Sequence, residues 1–114
     1  MLKGTLEGCI LAIIGEKETY GYEISKQLEE YGFGKIAEGT IYPLLLRLEK
    51  NGAVESRFIQ SDFGPKRKYY SLTEKGREDM RSFFDSYNEL NRAVNKLIEK
   101  IIWKVDREII SERI

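Results

Sequence analysis

The stretch Glu38–Gly52, EGTIYPLLLRLEKNG, constrains the fold of this chain more than any other. Its large aliphatic residues recur at the i, i+3, i+4 and i+7 spacing of one helical face. These residues are Ile41, Leu44, Leu45 and Leu48. The opposite face carries small, hydroxyl-bearing, aromatic and basic residues rather than the Glu and Lys mixture of a solvated helix. The sequence therefore predicts a helix with one face in a core and the other available for contact.

Two helices are predicted before this stretch. Apolar residues at helical spacing predict a largely buried helix over residues 2–14, with Gly15 as its end. In residues 16–34 a roughly four-residue apolar period, which includes Tyr20 and Tyr31, predicts an amphipathic helix of about three turns. That helix and Glu38–Gly52 are joined by a short Gly-containing connection, which is the helix-turn-helix pattern.

A β-hairpin is predicted directly after Gly52. Residues 53–60 and 66–73 are rich in β-branched and aromatic types, and the turn-forming run SDFGP separates them. In the second strand Tyr70 faces the core, and Tyr69 faces the helix or a phosphate. A helix-turn-helix followed by a basic hairpin is typical of a winged helix.

One long helix is predicted from Thr73, a candidate N-cap, to the end of the chain. Apolar residues follow one another in it at alternating steps of three and four, the heptad spacing of a helix that packs lengthwise on another helix. These residues are Met80, Phe83, Tyr87, Leu90, Val94, Leu97 and Ile101. The expected fold is α+β and mostly α: a winged helix with a two-stranded wing in residues 1–72, forming one compact unit with a dimerisation helix in residues 73–114.

Composition argues against several classes of function. The chain contains no histidine and a single cysteine, Cys9, within an apolar run, so a disulfide framework or a Cys/His metal site is not expected. No nucleophile–base pair or Gly-rich phosphate loop is evident, so we expect neither an enzyme nor a cofactor. No signal peptide is recognisable and no apolar run approaches the ~20 residues of a membrane span, so we expect a cytoplasmic protein without membrane contact.

Charge is distributed unevenly, although the formal net charge is zero. Residues 1–34 contain three basic and six acidic side chains, whereas residues 35–72 contain seven basic and four acidic ones. Residues 73–114 contain nine of each. The basic excess therefore coincides with the predicted contact helix and wing, which favours a polyanionic partner there.

Three segments resemble the PadR family of transcriptional regulators, in particular its short type with a single C-terminal helix. They are YGYEI at 20–24, EGTIYPLLLRLEKNGAVE at 38–55 and GPKRKYYSLTEKG at 64–76. The resemblance covers nearly the whole chain. It implies a winged-helix homodimer that binds a roughly palindromic double-stranded DNA operator and represses transcription, with an effector altering binding in many members.

The candidate DNA contacts lie on the contact helix and the wing. They are Gly39, Thr40, Tyr42, Pro43, Arg47, Gly64, Lys66, Arg67, Lys68 and Tyr69. Hydroxyl groups can bond phosphates or base edges, and an Arg side chain can donate two hydrogen bonds to one guanine. The cations of the wing can neutralise phosphates. In the alternative interpretation, Tyr42 packs under the wing, Arg47 pairs with a carboxylate near Glu49 or with Glu38, and the wing cations only aid solubility. Pro43 indicates that the helix begins close to Thr40 or bends.

The aromatic residues of the last helix have two interpretations. Phe83, Phe84, Tyr87 and Trp103 line an apolar pocket for a small aromatic effector at the dimer interface, or they pack against the partner chain. The function also has an alternative, a winged helix that binds an acidic protein rather than specific DNA. Affinity that changes little with salt would favour that alternative.

Overall fold

The computed structural model describes the backbone of residues 2–113 and the side chains of residues 4–108. It is mostly helical with one small antiparallel sheet, which confirms the predicted winged helix with a long C-terminal helix. The elements in chain order are α1 Leu2–Glu16, β1 Thr19–Tyr20, α2 Gly21–Leu28, α3 Glu38–Lys50, β2 Val54–Ile59, β3 Arg67–Leu72 and α4 Glu74–Arg113. A π-helical turn, Glu29–Phe33, continues α2.

The sheet places β3 between β1 and β2. β2 and β3 form the predicted antiparallel hairpin, in which Val54 lies opposite Leu72. The third strand is a correction to the sequence prediction, which assigns residues 16–34 to one helix. Thr19 and Tyr20 instead pair with β3, and α2 begins only at Gly21. A strand of two residues is too short to show the alternation by which strands are recognised in sequence.

The apolar face of α3 lies in the core. Ile41 and Leu45 are fully buried, and Leu44 and Leu48 are nearly so, as predicted. The same cluster contains Ile10, Leu11, Ile13, Ile14, Ile24, Leu28, Ala53, Val54 and Tyr70. Burying one such aliphatic side chain contributes about 1.5–3 kcal/mol. These residues fix the rotation of α3 about its own axis, and the opposite face is left outside the core.

The end of α3 is closed by a Schellman motif. Gly52 has a φ of 78°, which glycine adopts without Cβ strain. Its amide donates to the carbonyl of Glu49 at 3.0 Å, and the amide of Ala53 donates to the carbonyl of Leu48 at 2.9 Å. The chain therefore reverses tightly, and β2 begins at Val54.

The start of α4 packs closely against the same junction. Thr73 is the N-cap, as predicted, because its Oγ1 accepts a hydrogen bond from the amide of Gly76 at 3.1 Å. The Thr73 amide donates to the carbonyl of Ala53 at 3.1 Å. A Cβ on Gly76 would lie 2.0 Å from that same oxygen. Only glycine fits at this point of α4.

The chain divides into two compact units, Met1–Phe83 and Phe84–Ile114. We call them the winged-helix unit and the distal α4 unit. In the winged-helix unit Met80 packs against the core. The Phe83 ring lies so close to α1 that a Cβ on Gly8 would be 2.3 Å from it.

Candidate nucleic-acid interface

The face of α3 opposite the core is exposed to solvent. It carries Gly39, Thr40, Tyr42, Pro43, Leu46 and Lys50. The side chain of Leu46 is 50% exposed although it is large and apolar. Leu46 and Lys50 are not among the predicted contacts, yet the helical spacing from Gly39 and Pro43 places them on the same stripe.

The backbone of α3 is accessible near its start. The helix begins at Glu38 rather than near Thr40, so Pro43 lies in its second turn. Proline has no amide proton and cannot donate to the carbonyl of Gly39. No heavy atom outside the helix's own backbone lies within 4 Å of the position of a Cβ on Gly39. An external molecule can therefore approach the backbone of α3 closely at this residue.

Tyr42 is held at the junction of α3 and α2. Its hydroxyl donates to Oε2 of Glu38 at 2.8 Å, and this hydrogen bond raises the pKa of Tyr42, with a smaller contribution from burial. A Cβ on Gly21 would lie 2.8 Å from the ring. Half of the side chain remains exposed. The Tyr42 ring therefore packs on the start of α2 and leaves its outer part at the surface.

Arg47 forms an ion pair with α1. Its Nη1 lies 3.0 Å from Oε1 of Glu7, a buried oxygen that accepts no hydrogen bond of good geometry. The alternative interpretation predicted that Arg47 would pair with Glu38 or with a carboxylate near Glu49. That choice of partner is wrong, because the partner is Glu7. Because the Arg47 side chain is 42% exposed, the pair contributes about 0.2–1 kcal/mol. Arg47 lies at the edge of the exposed face of α3.

Lys68 points from the wing towards α3. Its Nζ lies 3.0 Å from Oε1 of Glu49, and the other carboxylate oxygen, Oε2, accepts a hydrogen bond from the Ser56 hydroxyl. The bond from Ser56, followed by the one from Lys68, lowers the pKa of the Glu49 carboxyl, and Glu49 in turn raises the pKa of Lys68. The positive charge of Lys68 is therefore largely balanced within the chain.

Arg67 and Tyr69 belong to an aromatic cluster around Tyr20. The guanidinium of Arg67 lies 4.8 Å from the centre of the Tyr20 ring, and its Nη1 donates to the Tyr20 hydroxyl at 3.3 Å. The rings of Tyr20 and Tyr69 lie 5.1 Å apart. The sequence prediction does not include Tyr20 because the contact depends on the pairing of β1 with β3. No local pattern reports that pairing.

Lys66 and Gly64 lie in the exposed turn between β2 and β3. Lys66 forms no ion pair with the side chains of residues 4–108. A Cβ on Gly64 would lie 3.3 Å from Oγ of Ser61, so the turn is tight there. Lys66 is thus a cation available to a partner at this end of the wing.

Arg57 is a further wing cation with an internal partner. Its Nε and Nη2 donate to the two carboxylate oxygens of Glu18 at 2.9 and 2.7 Å. The hydrogen bond from Arg57 lowers the pKa of Glu18. Glu18 and Glu7 both come from the acidic first third of the chain, so this segment neutralises part of the basic middle third.

The predicted seam of α4 is divided between the two units. Met80 and Phe83 contact the winged-helix unit of their own chain. The remaining seam residues are between 38% and 59% exposed in the distal α4 unit, and they are Tyr87, Leu90, Val94, Leu97 and Ile101. Phe84 is 41% exposed and Trp103 is 62% exposed. The guanidinium of Arg107 lies 4.6 Å from the centre of the Trp103 ring.

Across residues 2–113, no helix combines the length and the apolarity needed to cross a bilayer. Within the part of the chain that the structure describes, no three Cys, Asp or Glu side chains are grouped so that they could hold a metal ion.

Comparison with known families links these features to a group of regulators. A sequence profile of the transcriptional regulator PadR-like family matches residues 10–82. A transcriptional regulator of Mycobacterium tuberculosis is 32% identical over 85 residues, which cover 75% of this chain and 78% of the relative.

Solved structures agree with the profile. A PadR-like transcriptional regulator from Bacillus cereus is 50% identical, with a TM-score of 0.77, and the match covers 86% of this chain and 95% of that one. Bacillus subtilis PadR, solved in complex with operator DNA, is 26% identical with a TM-score of 0.64. That match covers 69% of this chain and 46% of the Bacillus subtilis protein.

Proposed function

This chain belongs to the PadR-like family of transcriptional regulators, and from that premise we propose that it is a homodimeric repressor that binds a roughly palindromic DNA operator. The observation that carries the proposal is the exposed face of α3, which the core does not use. The family is one of transcriptional regulators rather than enzymes. The Bacillus subtilis relative that was solved with operator DNA supports the choice of partner.

In this proposal α3 enters the major groove with its first two turns. Thr40 and Tyr42 supply hydroxyls to phosphates or base edges, and Gly39 and Pro43 allow close approach. Arg47 reaches guanine from the edge of the face by exchanging Glu7 for the base. Leu46 adds an apolar surface of the kind that contacts a thymine methyl group.

The wing contacts the flanking backbone. Lys66 neutralises a phosphate directly, and Gly64 keeps the turn narrow. Arg67 and Lys68 contribute after they exchange Tyr20 and Glu49 for phosphate, and Tyr69 borders the same surface. Because those two cations already have partners, their net contribution is smaller than that of Lys66.

The distal α4 unit supplies the dimer interface. Its exposed seam pairs with the same seam of a second copy, which places two copies of α3 on half-sites about 34 Å apart. Residues 1–72 then bind DNA and residues 73–114 dimerise. A small aromatic effector binds next to Phe83, Phe84 and Tyr87, and Trp103 borders this site. Binding of the effector relieves repression, and the protein acts in the cytoplasm.

A footprint on the upstream region of the gene for this protein tests the proposal. We expect a protected region with two related half-sites one helical turn apart, and we expect its loss with one member of a panel of aromatic compounds. A matched reporter strain should show higher expression when the gene is deleted. If the protein showed no saturable binding to this DNA at low salt, the proposal would be contradicted.

One observation favours a second candidate function. Arg47, Arg57 and Lys68 are all neutralised within the chain, which lowers the charge available for phosphate. A winged helix that binds an acidic protein would need less of that charge. Binding whose affinity changes little between low and physiological salt would favour the protein partner, whereas a steep linear dependence favours DNA.

A further inference from the structure

The turn of the wing presents one side chain completely to solvent. Phe63 lies between β2 and β3 in the run Ser61–Pro65, and it is fully exposed. Other large exposed residues retain some cover, as shown by Phe58 of β2 at 65% and Tyr31 of the π-helical turn at 68%. Phe63 therefore contributes nothing to the core, and the fold gives no reason for an aromatic residue at this position.

The backbone that carries Phe63 is braced by two side chains that precede it, those of Gln60 and Ser61. The Gln60 amide donates to the carbonyls of Ser61 at 3.3 Å and Gly64 at 3.1 Å. The Ser61 hydroxyl donates to the carbonyl of Pro65 at 3.0 Å. These bonds restrain the loop across the tip, so Phe63 is presented on an ordered turn.

The dimensions of the wing select the part of it that can enter a groove. Paired strands lie about 4.8 Å apart before their side chains are counted, whereas the minor groove of B-DNA is about 6 Å wide. Only the tip of the hairpin fits. Lys66, which has no ion-pair partner among residues 4–108, follows the tip and is positioned for the phosphates that line the groove.

We propose that Phe63 is an apolar wedge that enters the minor groove beside each half-site and partly unstacks one base step. This inference rests on the proposed function, since it requires operator DNA. Phe is one of the side chains that act in this way in proteins that bend DNA from the minor groove. The wing then senses the deformability of the flanking sequence, and flexible pyrimidine–purine steps there bind best.

The test compares Phe63→Ala with Phe58→Ala, which removes an exposed phenylalanine from the same hairpin away from its tip. The DNA is a duplex selected by the full-length wild-type protein from a random pool, with 2-aminopurine placed in turn at each flanking position. We expect wild-type protein and Phe58→Ala to increase fluorescence at one flanking step in each half-site. Phe63→Ala should lose that increase and bind about tenfold more weakly or worse.

The outcomes separate this inference from the proposed function. Suppose that Phe63→Ala binds the selected duplex with wild-type affinity and the same fluorescence increase. The wedge role of Phe63 is then contradicted, while the proposed function as a DNA-binding regulator stands. The same holds if Phe58→Ala loses as much as Phe63→Ala, because the tip would then have no special role. If the wild-type protein selects no duplex, the proposed function fails, and the wedge fails with it. Unchanged circular dichroism melting of both variants confirms that the fold is intact.

Discussion

The winged-helix unit buries many of its apolar residues, whereas the distal α4 unit leaves its apolar residues exposed. In the winged-helix unit, three helices and a sheet enclose a cluster that includes Ile41 and Leu45, both fully buried. In the distal α4 unit, Leu97 is 59% exposed and Ile101 is 51% exposed along a single helix. The first unit is stabilised by its own core, whereas the second has an apolar stripe without one. We infer that stability of the first depends on its own packing and that of the second on association.

The largest expected effect comes from the core of the winged-helix unit. Leu45→Ala leaves a cavity under α3 and should lower the free energy of unfolding by about 2–5 kcal/mol. Leu46→Ala is the matched control, because it removes the neighbouring side chain from the exposed face and should change stability by no more than about 0.5 kcal/mol. Urea denaturation measures both. Equal losses for the two variants would contradict the assignment of the two faces of α3.

The next effect concerns the distal α4 unit. Leu97→Glu should weaken a homodimer by roughly 3 kcal/mol or more, about 100-fold, because two leucines lose their burial in each dimer. Glu99→Ala changes a residue that helical spacing places on another face of α4, and it should leave the dimer intact. Sedimentation equilibrium over a range of concentrations measures the dissociation constants. A monomeric wild-type protein at micromolar concentration would contradict the inference that the distal α4 unit is stabilised by association.

A third prediction separates two roles of Arg47. Arg47→Ala should weaken binding to a specific operator by about 1–3 kcal/mol if the guanidinium contacts a base. Glu7→Gln removes only the internal partner, so affinity for the same operator should stay equal or increase. If both variants weaken binding equally, Arg47 acts by holding α3 on α1 rather than by contacting DNA. Fluorescence anisotropy with a labelled operator distinguishes these outcomes.

A fourth prediction compares a free cation of the wing with a paired one. Lys66→Ala should reduce the slope of log affinity against log salt by about one and weaken all sequences alike. Lys68→Ala should change the slope less, because the charge of Lys68 is already balanced by Glu49. Titrations at several salt concentrations measure the slopes. A larger change for Lys68 would mean that this ion pair opens in the complex.

The smallest expected effect concerns pH. The pKa of Glu49 is lowered in the folded protein, so its contribution to stability is present above the unfolded pKa of about 4.3 and is lost as pH falls through the folded value. Relative to Glu49→Gln, the wild-type protein should therefore lose up to about 1 kcal/mol as the pH falls from neutral to below about 4. Chemical denaturation at a series of pH values measures the difference. A constant difference between the two proteins would show that the contacts of the Glu49 carboxylate with Ser56 and Lys68 add no stability.

The sequence predicted those parts of the fold that depend on local periodicity. The stripe from Ile41 to Leu48, the hairpin and the cap at Thr73 each repeat or cluster within a few residues, so their signals are complete in the sequence. β1 was not predicted because two residues show no period, and its partner Tyr70 lies far along the chain. The end of α3 followed its capping residue, Gly52, whereas α2 begins at Gly21 rather than in the predicted position at residue 16.

The candidate site was harder to predict for an electrostatic reason. The residue types of the exposed face of α3 could be read from the sequence, but the partners of the cations could not. Arg47 pairs with Glu7 and Arg57 with Glu18, and both contacts join residues about forty positions apart. Such pairs depend on the tertiary arrangement and leave no local pattern. The sequence also places Leu46 and Lys50 on the exposed face, although neither was among the candidate contacts.

The junction at Ala53 has a mechanical consequence. Its amide is bonded to the last turn of α3, its carbonyl is bonded to Thr73 at the start of α4, and Gly76 packs against that carbonyl without room for a methyl group. One residue therefore couples the last turn of α3 to the base of α4. Because the same residue bonds to both helices, we expect a shift at the base of α4 to move the end of α3 as well.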